Sequence, residues 1–372
     1  MDFLVKSAEA DSAPAVVQDL RKQYEGVPVS QLLYFVSPAY DLAQVAEGMK
    51  NAFPGVVTFG CTTCKCMLTR TAGNRSVSTM AFGPGAFERF AVAVAEDIAG
   101  DPTSMAKALE RIQEQLGENI ANLDYRDWFG MILFDGRAPN IESFISSAGN
   151  RTDITFVGGY ASDFMAFKDI AVFLDGQVRQ GCAVVVVVKP RGKFALLKTQ
   201  SVAPTGKTFV VTDSDEPAKV VRTLDGLPAV RVYAAALGMT EADLSGSIFR
   251  HNPFAIVAEG EPFIRAIDGS TPDGGLLISS AIKEGMTVRL LKSTNLVDET
   301  ARALDEKRKE LGGVIKASIN FDCVLRVTML DEGNQHDAYD ELFKGVQSVG
   351  FATFGEVYVG LMAETAVLAL FG

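Results

Sequence analysis

Histidine is almost missing from this 372-residue chain, which has two, His251 and His336. A catalytic triad built on histidine therefore has few ways to form, and neither residue stands in a recognisable haem motif. Basic residues are also scarce, 35 Lys and Arg against 46 Asp and Glu, for a formal charge of −11. Nucleic-acid surfaces need a basic stripe to replace phosphate counterions, so the sequence argues for no nucleic-acid partner. Long apolar runs are missing too. The longest, Cys182 to Val188, is far too short to span a bilayer and reads as a strand buried on both faces, so no membrane insertion is expected. Met1 to Pro14 has neither a basic start followed by an apolar run nor an Arg-rich amphipathic pattern, which argues against a secretory or transit peptide. The five cysteines, an odd number, fit a reducing compartment, and the expected location is the cytoplasm. No Gly-x-Gly-x-x-Gly, His-Glu-x-x-His or Gly-x-Ser-x-Gly pattern appears. The triplet Gly206-Lys207-Thr208 is followed by strand rather than helix, so it lacks the helix dipole of a phosphate loop.

What is present describes an ordinary globular chain, 48% hydrophobic and 22% charged. Its length exceeds what one core serves, so two domains are expected, 1–212 and 213–372. One strand-helix-strand-strand unit recurs three times. The first copy has strands at Gln31–Ser37, Gly55–Gly60 and Ser76–Phe82, with a helix at Ala39–Phe53. The second has strands at Trp128–Phe134, Ile154–Gly159 and Gln180–Val188, with a helix at Asn140–Gly149. The third has strands at Cys323–Leu330, Gly350–Phe354 and Glu364–Phe371, with a helix at His336–Val346. Pro38 and Pro139 fall just before or inside a first helical turn. A strand, a crossover helix and a returning strand form a right-handed parallel unit. The fold class is therefore mixed α/β, with mixed sheets covered by helices. Between the second and third copies lie short strands at Thr208–Val211, Phe254–Val257, Gly275–Ser279 and Thr287–Leu291. Helices are expected there at Ala218–Leu224 and Leu296–Leu311.

The loop after the second strand of each unit gathers small and polar residues: Gly60-Cys61-Thr62-Thr63, Gly158-Gly159 to Ser162-Asp163, and Phe354-Gly355-Glu356. Loops at strand ends of an α/β sheet are where ligands collect. Cys61, Cys64 and Cys66 add a C-x-x-C-x-C cluster able to offer three thiolates to a soft metal, or to form a reversible disulfide. Arg326, inside an apolar run, needs an anion, which Glu356, Asp163 or a ligand carboxylate would supply. Arg137 is a second candidate for a carboxylate contact.

The chain resembles the FIST family, whose N- and C-terminal domains stand in order. The likeness rests on GCTT at Gly60–Thr63, VGGYASD at Val157–Asp163, LDGLPAVRVY at Leu224–Tyr233, NPFAIV at Asn252–Val257, DGGLLISSAIKEG at Asp273–Gly285, NFDCVLR at Asn320–Arg326 and GFATFGE at Gly350–Glu356. The resemblance implies a sensory protein for a small ligand, an amino acid or related metabolite, with no catalysis of its own. Some members resemble haem-based sensors, and the alternative is a metal- or haem-binding or redox-sensing protein that uses the Cys61, Cys64 and Cys66 loop. Kinase, cyclase and methyl-accepting signatures are lacking, so output is expected through a separate signalling protein such as a histidine kinase or chemoreceptor. Two departures stand out: GCTTCKC carries Cys64 and Cys66, and the family's closing His-Asn-Gln-Thr-like stretch reads Leu361-Met362-Ala363-Glu364-Thr365.

Overall fold

The structure is a computed structural model that describes residues 2–68, 75–138, 140–258 and 260–372. Pro139 lies outside the described residues. The described chain forms mixed α/β layers in four sheets.

Three of the sheets share one plan. A parallel pair sits near the centre of each: Gln31–Val36 beside Val57–Thr62, Phe129–Phe134 beside Thr155–Tyr160, and Ala317–Cys323 beside Gln347–Thr353. A returning strand lies antiparallel to the first member: Val77–Phe82, Ala183–Pro190 and Thr365–Phe371 respectively. Each unit then lends a piece of the loop after its second strand to a neighbour. Cys66–Met67 of the first unit pairs with Gln347–Thr353 of the third. Val172–Leu174 of the second pairs with Val57–Thr62 of the first. Glu356–Tyr358 of the third pairs with Thr155–Tyr160 of the second. The exchange runs in a closed circle, so no unit completes its sheet alone.

Side-chain alternation with period two explains how the three sheets pack. Leu33 and Phe35 of the first sheet, Met131 and Leu133 of the second, and Ile319 and Phe321 of the third face one shared core. The alternate residues Leu32, Tyr34 and Val36 turn outward onto the helices Ala13–Gln23 and Leu42–Ala52, whose Val16, Leu20, Val45 and Met49 are buried. Asp41 caps the second of these helices, accepting from the Gln44 N–H at 3.0 Å, so Pro38 lies ahead of the cap. Ser104–Leu116 and Ile141–Gly149 cover the second sheet in the same way. Each fully buried aliphatic or aromatic side chain contributes about 1.5–3 kcal/mol relative to exposure.

The fourth sheet is built mostly from the stretch between the second and third units. Its order is Glu261–Arg265, Phe254–Ala258, Thr287–Ser293, Val202–Asp215, Val220–Leu224, Leu276–Ile278, Ile267–Ser270.

Several sequence expectations are corrected. The expected strand Cys323–Leu330 is a helix, Val324–Glu332, and the strand before it is Ala317–Cys323. Its polar Ser318, Asn320 and Asp322 are all buried, which hid a core strand behind an apparently half-solvated pattern. The segment expected as a helix at Ala218–Leu224 holds the strand Val220–Leu224, and the helix follows a tight turn at Ala229–Leu237. The strand expected at Thr208–Val211 extends over Val202–Asp215, because it pairs with partners on both sides. Phe3–Ala8, Ala13–Gln23, Phe87–Ala95 and Ser104–Leu116 add elements that the repeat pattern did not contain.

Candidate functional site

The three candidate loops meet at one point, stitched together by backbone bonds. Thr62, Tyr160 and Ala352 hold equivalent places in the second strands, each two residues after Gly60, Gly158 and Gly350, opposite Val36, Phe134 and Asp322. Their N–H groups donate around the circle, to the carbonyls of Ala171, Gly355 and Lys65 at 3.0, 2.9 and 3.0 Å. Their carbonyls accept in return. Thr62 takes the Ser162 N–H at 3.0 Å and Tyr160 takes the Phe354 N–H at 3.3 Å. The third link passes through a side chain: the Cys64 N–H donates to the Ser162 hydroxyl at 3.1 Å, which donates onward to the Ala352 carbonyl. Ser162→Ala would orphan a backbone N–H in the hub. It is expected to lower stability by about 1–3 kcal/mol in urea unfolding.

Gly60, Cys61, Thr62, Thr63, Gly158, Gly159 and Ser162 therefore form a buried frame. Asp163, also buried, accepts from the N–H groups of Phe167, Lys168 and Asp169 and shapes its own loop. Phe354 packs on Phe167 with ring centroids 4.7 Å apart. Arg137 is bonded to Asp135.

Arg326 opens a second group, on the outer face of the third sheet and 1% exposed. Its Nη1 donates to Ser201 Oγ at 2.9 Å and its Nη2 to Thr300 Oγ1 at 3.1 Å, while its Nε stands 3.8 Å from Asp322 Oδ1. Tyr339 donates to the same Asp322 oxygen at 2.8 Å. The anion is thus Asp322, and neither Glu356 nor Asp163 bonds the guanidinium. Glu356 uses Oε2 to accept from the Thr365 N–H at 3.1 Å and the Thr365 hydroxyl at 2.6 Å. Close by, Glu364 is 2% exposed and sits at φ +52°, a left-handed backbone that side chains other than Gly, Asn and Asp rarely adopt. Both Glu364 carboxylate oxygens, Glu356 Oε1 and Asp322 Oδ2 have no hydrogen-bond partner among the described residues.

Burial pushes the Glu356 carboxyl up to about 8, with the Thr365 bonds and Arg326 holding it back. Burial raises Glu364 well above its ordinary value, and Glu356 raises it further. The sign of the consequence is fixed. Between its ordinary value of 4.5 and about 8, Glu356 binds more protons folded than unfolded, so its contribution to stability falls as pH rises through that window. Glu356→Gln is expected to shrink the loss of urea stability measured between pH 5 and pH 8.

The FIST N domain model matches residues 31–227 and the FIST C domain model residues 229–359. The chain belongs to the FIST family. FIST domains are sensory, signal-transduction domains thought to bind small ligands. An uncharacterized protein of Methanocaldococcus jannaschii is 26% identical over 215 residues, which are 56% of this chain and 41% of that protein. The FIST chain thus spans less than half the length of that curated relative. Among solved structures, the chain is similar to a cyanuric acid hydrolase described as structural concatenation, over 100% of both chains at 12% identity and TM-score 0.32. A second cyanuric acid hydrolase, from A. caulinodans, covers 100% of this chain and 99% of its own at 8% identity and TM-score 0.31. Likenesses this slight carry no argument.

Further groups of the FIST C half act on the carboxyl pair: Arg250 and Asp268 reach Glu364 electrostatically, and Tyr233 is raised by burial and then by Glu364. Arg250 is bonded to Glu332, at the end of the helix that carries Arg326. Ser247 Oγ and His251 Nε2 stand 3.5 and 3.4 Å from the same carboxylate. Helix Gly246–His251 is therefore latched to helix Val324–Glu332. His336, the other histidine, pairs with Asp331 at 2.6 Å and with Lys65.

In the FIST N half, Cys61 and Cys66 both lie in the shared core, with Cys66 contacting the Phe35 carbonyl at 3.7 Å, and Cys64 Sγ stands 3.5 Å from the Ser162 hydroxyl oxygen. Burial pushes all three thiols up. Among the described residues no group of three or more His, Cys, Asp or Glu is placed to hold a metal ion. Among them, too, no helix is long and apolar enough to cross a membrane. Sequence reasoning named Arg326 and Glu356 but missed Asp322, Tyr339, Ser201 and Thr300, and noticed Glu364 only as a departure from the family's closing motif.

Proposed function

We propose that this chain is a small-ligand sensor whose ligand sits against Glu356 and Glu364, beside Tyr233, Arg250 and Asp268. The observation that carries this reading is Glu364, a buried carboxyl with both oxygens unpartnered on a left-handed backbone. Buried polar groups in folded proteins are nearly all hydrogen-bonded, and each exception needs a reason. A strained residue of this kind costs about 1–3 kcal/mol and persists where function uses it. A ligand that fills the open positions of Glu364 is such a reason.

The loops around Gly60, Gly158 and Gly355 act in this reading as the rigid frame that delivers Glu356. The ligand in this reading is a small polar metabolite of the amino-acid-related class. The output follows from the latch: a ligand that pairs with Glu364 alters its pull on Arg250 and Asp268, and so shifts helix Gly246–His251 against helix Val324–Glu332. A separate signalling protein in the cytoplasm, such as a histidine kinase or chemoreceptor, reads that shift. Amide hydrogen exchange tests the coupling. Adding the small-molecule fraction of a cell extract is expected to change exchange in 246–251 and 324–332 of the wild type, and to leave Glu364→Gln unchanged. Equal responses in both proteins would contradict it.

A further inference from the structure

We propose that the occupant of this site is a primary organic ammonium, an alkyl amine or diamine, held by Glu356 and Glu364. The inference rests on the site assignment above and names the ligand's chemistry. An ammonium group has three N–H donors and no acceptor. The carboxyl pair offers three oxygens without partners: Glu356 Oε1 and both oxygens of Glu364. Donor and acceptor counts therefore match.

The surroundings argue against a ligand carboxylate. The groups that face Glu356 are Thr365, Cys323 and Arg326, and those that face Glu364 are Glu356, Arg326, Asp268 and Arg250. Arg326 gives one N–H of each Nη group to Ser201 and Thr300 and stands 3.8 Å from Asp322 through its Nε, and Arg250 is engaged by Glu332; the Nε of each has no hydrogen-bond partner among the described residues. Four acidic side chains, Asp268, Asp322, Glu356 and Glu364, gather against these two already paired cations, so an α-amino acid would place its carboxylate among carboxyls. A metal ion is disfavoured by the donor geometry, since no group of three or more His, Cys, Asp or Glu among the described residues is placed for one.

Without a cation the two carboxyls hold protons, because burial disfavours two neighbouring charges. Binding an ammonium restores the carboxylates and sends the displaced proton to solvent, while the ammonium keeps its own. Affinity therefore rises with pH for as long as the unliganded carboxyls hold protons.

Isothermal titration of the full chain tests this with 1,4-diaminobutane, the isosteric neutral 1,4-butanediol, and L-leucine, in buffers of different ionisation heat. The diamine is expected to bind with proton release and to bind more tightly at higher pH, and the diol not to bind. Glu364→Gln is expected to weaken the diamine roughly thirtyfold or more, the loss of a charge-assisted bond, without lowering the thermal midpoint. Glu356→Gln serves as the second variant if the first does not fold. Diamine binding that is absent, or equal in the wild type and both variants, overturns the proposal. Glu364-dependent binding of L-leucine in place of the diamine overturns the ligand class and leaves the site standing. Binding of either compound that ignores both glutamates overturns the site itself.

Discussion

Gly60→Ala and Gly158→Ala are each expected to leave little folded protein. An added Cβ at Gly60 would lie 1.7 Å from the Tyr34 carbonyl oxygen, and at Gly158 it would lie 1.9 Å from that of Ile132. Both obstacles are backbone in the neighbouring parallel strand, so relief requires parting the central pair of a sheet. Gly158 also sits at φ +152°, where an L side chain is strained regardless of space. Changes of this kind exceed about 4–5 kcal/mol, much of the stability of a typical domain. Gly350 holds the equivalent place in the third unit, opposite Asn320, and there the nearest backbone atom is 2.9 Å away. Gly350→Ala is expected to fold with a reduced urea midpoint. Gly355→Ala meets only the end of the Leu361 side chain at 3.1 Å and is expected to be mild. Soluble yield and far-UV circular dichroism separate these four outcomes. Four variants of equal stability would remove the role given to the glycines.

Arg326→Ala is the second large effect. The guanidinium joins helix Val324–Glu332 to Ser201 and Thr300, and it supplies the nearest positive charge to Asp322, Glu356 and Glu364. Removing one partner of a buried charged group destabilises by about 3–5 kcal/mol, because the remaining charge is left uncompensated. The urea midpoint should fall accordingly, and most at alkaline pH, where the carboxyls can no longer stay neutral. Arg326→Met keeps much of the volume and is expected to recover part of the packing but not the pH dependence. A variant that folds with wild-type stability yet loses ligand would instead make Arg326 a ligand contact.

These two groups of residues also show how far the sequence could be read. The recurrence of strand, helix and strand was legible in Gln31–Ser37, Trp128–Phe134 and their partners, because these two copies kept apolar, β-branched runs bounded by turn residues. The cyclic lending of Cys66–Met67, Val172–Leu174 and Glu356–Tyr358 was not legible. Each lent segment is only two or three residues long and its partner lies far away in the chain. That exchange turned the three candidate loops from separate sites into one buried frame. The pairing of Gly355 with Gly60 and Gly158 as loop glycines likewise gave way to Gly350, since strand register decides which backbone crowds which Cα.

Arg326 stood out because a guanidinium in an apolar run needs an anion. Its partner escaped notice because Asp322 sits on a strand whose polar residues are all buried, a pattern that reads as half-solvated. Glu364 was hidden for a different reason. Positive φ at a glutamate and two orphan carboxylate oxygens are properties of the packed chain, with no signature in residue type or spacing. The polar seam is therefore the part of the molecule that local sequence rules describe least well, as expected where function overrides local preference.

Native mass spectrometry tests the central claim most directly. Wild type and Glu364→Gln would be incubated with the sub-kilodalton fraction of a cell extract, desalted, and compared under native and denaturing conditions. The account predicts a small-molecule adduct on the native wild type that disappears on denaturation and is lost from the variant. An adduct retained by Glu364→Gln, or none on either protein, would contradict it.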